Sequence, residues 1–210
     1  MSRFKHKNIR KLKKNDILIV CGDFGFIWEN TSKERRILKK IGKRKHYTLF
    51  VEGCHENYNM LLDYPLEEFC GGPVNVVSGK LLHLVRGVIY DFQGLRFFAF
   101  GGGQTKEIEI RRNSNTWYEA ELPEPDEIKN AVLNIKGYDN KIDYIITHEP
   151  PASVKEFLDF EPHQISYMHT FFDAIKNDVD YNTWYFGKCH KNKVIPPKFK
   201  CLFDEVEIIK

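Results

Sequence analysis

The sequence holds no uninterrupted apolar run of eighteen residues, and no apolar stretch follows its basic start, MSRFKHKNIRKLKKND, so neither a helical membrane span nor a secretory leader is expected. Cysteine is scarce. Cys21, Cys54, Cys70, Cys189 and Cys201 are five, an odd number without CxxC spacing, which argues against a disulfide framework and against a zinc ribbon. Free thiols in a reducing, cytoplasmic compartment are expected. No internal repeat, low-complexity tract or long linker divides the chain. One domain over residues 1–210 is therefore expected, and a content of 42% hydrophobic and 14% aromatic residues is enough for one sizeable core.

Charge of one sign is not in excess overall, with 32 Lys or Arg against 29 Asp or Glu, but its distribution is uneven. Residues 1–45 carry 15 basic against 4 acidic side chains, and the remainder carries 17 against 25. A block of net +11 attracts nucleic acid or another polyanion. The plainer and preferred reading is the solvated face of a helix over residues 33–45.

What is present is a series of short β-rich runs, each ending in side chains that ligate metal. DILIVC (residues 16–21) runs into Gly22 and Asp23; YTLFV (47–51) into Gly53, Cys54 and His55; YIIT (144–147) into His148; TWYF (183–186) into Gly187, Lys188, Cys189 and His190. Between the first two runs, SKERRILKKIGKRK offers Ser32 as N-cap and apolar Ile37, Leu38 and Ile41 at helical spacing, which makes a βαβ unit with parallel strands. ENYNMLLDYP predicts a short helix stopped by Pro65, and residues 80–103 predict consecutive antiparallel strands. IKNAVLNIKG and SYMHTFFDAIKN predict helices, and KFKCLFDEVEIIK predicts two closing strands. The sum is an α/β protein whose strand ends gather on one edge, where open α/β sheets bind ligands.

Each of these residues has a plain alternative. Asp23 suits a turn, His148 suits a loop start and His55 suits a helix cap. The triglycine at residues 101–103 suits either a phosphate or a tight turn. His83 reads as a hydrogen-bonded strand histidine, His163 and His169 as surface or packing residues, and Trp117 with Tyr118 as packing. Four ligand-bearing strand ends in one chain favour a shared metal centre, because Asp, His and Cys all bind divalent ions.

In the order GDFG (22–25), GCHE (53–56), THEP (147–150) and GKCH (187–190), these segments resemble boxes of the calcineurin-like metallophosphoesterase superfamily, over nearly the whole chain. The resemblance implies a mixed parallel and antiparallel two-sheet β-sandwich flanked by helices, and a metal-dependent phosphoester hydrolase acting on a phosphorylated small molecule or nucleotide. It also implies two divalent ions (Mn, Fe, Zn or Mg) about 3.5 to 4 Å apart that activate a water. Carried over, Asp23 bridges the ions, His190 holds the first, His148 holds the second, His55 protonates the leaving oxygen, and Glu56 orients His55 or caps the local helix. An imidazole suits the acid role because its ordinary pKa of about 6.5 lies near neutrality.

Three departures from the family pattern touch metal ligands. The Asp-x-His box is absent, and with it the family's first strand; His6 is a poor substitute, and an upstream start carrying the box is one expectation. Cys54 stands where the family has an Asn ligand, a softer donor that favours Zn or Fe over Mg or Mn. Lys188 stands where a His ligand is usual, and must point away, lose its proton, displace the ion, or bind substrate phosphate in its place. The alternatives are therefore a hydrolase with a single metal, and an inactive family member that binds phosphate, nucleotide or, through its basic block, nucleic acid.

Overall fold

A computed structural model describes residues 3–158 and 165–209. The chain enters through α1 (Lys7–Lys11), whose N-cap is His6, the ring Nδ1 accepting from the Asn8 amide at 3.2 Å. The βαβ unit follows as β1 (Ile17–Cys21), α2 (Ser32–Gly42) and β2 (Tyr47–Val51), with β1 and β2 paired in parallel. Thr31 rather than Ser32 caps α2: its hydroxyl accepts from the Glu34 amide, and the Glu34 carboxylate accepts from the Thr31 amide, which completes a capping box.

After α3 (Tyr58–Leu62) come β3 (Leu66–Phe69), β4 (Gly72–Ser78) and β5 (Leu81–Leu84), and then β6 (Val88–Phe92) and β7 (Leu95–Phe100). The rest of the chain supplies α4 (Ile108–Asn113), α5 (Pro125–Gly137), β8 (Tyr144–Thr147), α6 (Ala152–Phe157), α7 (Tyr167–Asp178), β9 (Thr183–Phe186), β10 (Lys193–Ile195) and β11 (Phe199–Cys201). Strands assemble into two mixed sheets, one ordered β1-β2-β5-β4-β3 and the other β10-β11-β9-β8-β7-β6. Helices flank both.

Side-chain alternation along the strands sets the layers. In β2, Leu49 and Val51 point to one core and Phe50 to another; in β7, Phe97 and Ala99 part from Phe98 and Phe100; in β9, Tyr185 parts from Trp184 and Phe186. The central cluster draws on both sheets, so they pack face to face. The outer face of the first sheet packs under α1 and α2 through Ile9, Leu38 and Ile41, and the outer face of the second packs under α5 and α7 through Ala131, Ile135, Phe172 and Ile175. Strands buried on both faces need continuous apolar sequence, which is why YTLFV and YIIT carry little polar alternation. Full burial of each large apolar side chain contributes about 1.5–3 kcal/mol.

Several expectations are revised. The run over residues 80–103 is not one antiparallel series: β5 pairs with β2 and β4 in the first sheet, and β6 pairs with β7 in the second. The chain changes sheet at residues 85–87, where Gly87 has φ +73° and a Cβ there would lie 2.8 Å from the Ala131 methyl. Local pattern carries no signal for that switch. Strands β3 and β4, helices α4 and α6 had no clear sequence signature. At the C-terminus only β11 of the two expected strands forms; Val206 and Ile209 instead pack on the cores without a ladder partner. Among the described residues no helix is long and apolar enough to cross a membrane.

Candidate metal centre

The C-terminal ends of β1, β2, β8 and β9 converge, two from each sheet, and the loops after them build one polar site. The GDFG turn begins it. Gly22 (φ +85°) and Asp23 (φ 48°) reverse the chain after β1, and a Cβ on Gly22 would fall 2.2 Å from His148 Nδ1. Only glycine allows His148 this approach. The Asp23 carboxylate is then fixed from β2's loop, Oδ1 accepting from the amides of Cys54 (2.8 Å) and His55 (3.1 Å).

Glu56 ties the same two loops together. It is fully buried, and its two oxygens accept from the amides of Gly53 (2.7 Å) and Gly25 (3.1 Å). It therefore clamps GDFG to GCHE, and neither orients His55 nor caps a helix; Asn57 is the cap of α3. Burial, reinforced by Asp23, pushes the Glu56 carboxyl up to about 8.

His148 enters from β8. Its Nδ1 lies 3.2 Å from the Cys21 carbonyl, which requires the proton on Nδ1 and leaves the Nε2 lone pair facing the site. Nε2 is buried, 3.5 Å from Asp23 Oδ1, and makes no hydrogen bond among the described residues. Burial lowers the His148 imidazole below its ordinary value, keeping it neutral as a ligand must be. Asp23, Cys54 and His148 each present one ligand atom, all within 4.8 Å of one another. A carboxylate, a thiol and an imidazole with a buried, unpartnered nitrogen make a donor set that fits a divalent ion, and its sulfur favours Zn or Fe over Mg.

The remaining expected residues fall differently. His55 is exposed at the rim, its Nε2 4.0 Å from Asp23 Oδ2. His190 is not brought into the Asp23, Cys54 and His148 cluster: it is exposed, with φ 48° and its ring 5.2 Å from that of Phe203. The reason is backbone pairing. The amides of Gly187 and Lys188 both donate to the His148 carbonyl (3.1 and 3.0 Å), which sends Lys188 into the site instead. Lys188 Nζ reaches Cys54 Sγ at 2.9 Å, Glu149 Oε1 at 3.1 Å and the Gln104 carbonyl at 3.3 Å. Burial opposes the Lys188 charge, but Glu149 and Cys54 outweigh it and raise the ammonium above its ordinary value. Asp23 shows the converse: burial works to raise its carboxyl, yet His148, His55 and Lys188 hold it below the usual range. Burial raises the Cys54 thiol well above its ordinary value.

Sequence reasoning gave Glu149 no role. It is fully buried, its Oε1 accepting from the Gln104 amide (3.1 Å) and its Oε2 facing His169 Nε2 (3.2 Å) and Lys155 Nζ (3.4 Å). His169 is thus neither a surface residue nor mere packing; its Nδ1 accepts from the Ser166 amide at 3.0 Å, which fixes Nε2–H toward Glu149. His163 lies outside the described residues. Position beside His148 was the one available signal for Glu149. The triglycine lies against the site as well: a Cβ on Gly103 would sit 2.6 Å from Cys54 Sγ, and one on Gly101 would strike the Glu52 carboxylate. His83 is a buried strand histidine with both ring nitrogens engaged, on Asn75 Oδ1 (2.9 Å) and Glu52 Oε2 (2.6 Å).

Fold and site together define a mixed α/β protein with an Asp, Cys and His cluster built across the ends of two sheets. The chain matches no family model and no curated protein sequence.

Proposed function

We propose that the protein is a metal-dependent phosphoester hydrolase of the calcineurin-like metallophosphoesterase type, its two sheets forming that superfamily's sandwich, with one divalent ion held by Asp23, Cys54 and His148. The observation that carries this reading is the orphaned, buried Nε2 of His148 beside a carboxylate and a thiol. A divalent ion at such a position supplies Lewis acidity toward a phosphoryl oxygen and brings the pKa of water toward neutrality. The chain's own residues do the rest. Asp23 is oriented by two amides before any ion arrives, so little reorganisation is needed on binding. In this reading His55, exposed and 4.0 Å from Asp23, gives a proton to the leaving oxygen.

His55→Ala is expected to lower kcat toward an aryl phosphodiester by about 10²–10⁴-fold while leaving metal content unchanged. Unaltered turnover would remove His55 from the reaction.

A second reading concerns the partner. Helices α1 and α2 rest on one hydrophobic cluster, and the Lys and Arg side chains they carry are exposed. That favours a nucleic-acid phosphodiester as substrate or ligand. Binding of a single-stranded oligonucleotide should weaken steeply between about 50 and 200 mM salt as counterion release is lost. Absence of binding at low salt would leave small phosphoesters as the substrate class.

A further inference from the structure

We infer that Lys188 is a built-in cation: its ammonium fills a cation position defined by Cys54, Glu149 and the Gln104 carbonyl, so the centre accepts one exchangeable metal ion and no second.

The contacts of Nζ are with a sulfur at 2.9 Å, a carboxylate oxygen at 3.1 Å and a carbonyl oxygen at 3.3 Å. An ammonium has three N–H donors, and three acceptors surround it here, so none remains for substrate phosphate. A role as phosphate clamp therefore does not fit. The same three atoms are donors that divalent ions also take, carboxylate and carbonyl oxygen from the hard group and thiolate from the soft. Lys188 stands at their centre with only 24% of its side chain exposed, and its backbone is pinned at the His148 carbonyl. Cys54 is common to both positions, its Sγ 2.9 Å from Lys188 Nζ and within 4.8 Å of the Asp23 and His148 ligand atoms. A second ion would have to displace a tethered charge whose local concentration never falls.

The inference rests on the metal reading of the site for its first ion only. The test is metal content by elemental analysis of the full chain, stripped and then titrated with Zn(II), in the parent, Lys188→Ala and Lys188→Arg. The parent is expected to saturate at one equivalent, Lys188→Ala at two, and Lys188→Arg, which keeps the charge, at one. A parent that takes two equivalents, or a Lys188→Ala protein that gains none, overturns the inference. A parent at zero with Lys188→Ala at one would sustain it while removing the hydrolase reading. A parent and variant both at one would do the reverse. Should Lys188→Ala fail to fold, Lys188→Gln, which removes the charge but keeps most of the side chain, takes its place, with two equivalents expected and one equivalent overturning the inference.

Discussion

His148→Ala is expected to strip the centre of its ion and to reduce phosphodiester turnover by about 10³-fold or more, since a metal's contribution to transition-state stabilisation is several kcal/mol. Metal content of the purified variant should fall from about one equivalent to near zero. His148 Nε2 is the one nitrogen among the three converging ligand atoms, it is buried, and among the described residues no hydrogen bond competes for its lone pair. Alanine also removes the bond to the Cys21 carbonyl, so unfolding should be followed alongside and should account for only about 1–3 kcal/mol. His190→Ala is the matched comparison, because His190 lies against Phe203 and outside the cluster. Full metal loading in His148→Ala, or its loss in His190→Ala instead, would transfer the centre to the other histidine.

Glu149→Gln is expected to cost about 3–5 kcal/mol of stability, the range for removing one partner from a buried ion pair. Glu149 is fully buried and faces Lys188, Lys155 and His169, so an amide there removes the negative charge that Lys188 Nζ meets at 3.1 Å. Burial alone would raise this carboxyl, but Lys188, His169 and Lys155 hold it well below its ordinary value of 4.5. A depressed carboxylate contributes stability that is complete above about pH 4.5 and is lost as pH falls through the lower, folded-state value. The parent's stability should therefore decline on acidification below about pH 4.5, and that limb should flatten in Glu149→Gln. Urea denaturation across pH measures both. A variant as stable as the parent, with an unchanged acid limb, would show that the network holds nothing together.

Much of the frame was legible in the sequence because it is written in local pattern. YTLFV, YIIT and TWYF declare buried strands by continuous apolar β-formers, and α7 declares itself by Ser166 and a helical apolar spacing. The switch of sheet between β5 and β6 was not legible, since it depends on Gly87 meeting Ala131, 44 positions away in the chain. At the site, Asp23, Cys54 and His148 could be read as strand-end ligands, and the structure brings those three together. His190 could be read the same way and lies elsewhere, because two amide bonds to one carbonyl decide which side chain after Gly187 turns inward.

By itself the sequence determined the buried strands that carry the site and the amphipathic helices, and that ligand-type side chains stand at those strand ends, since helix spacing, apolar β-forming runs and glycine turns act between near neighbours. Only the tertiary structure decided that Lys188 enters the centre, that Glu149 neutralises it, and that Glu56 clamps two loops. Those outcomes follow from burial. A charge or carboxylate removed from water must find its partner within about 3 Å, and which partner lies there is fixed by packing between residues far apart in the chain.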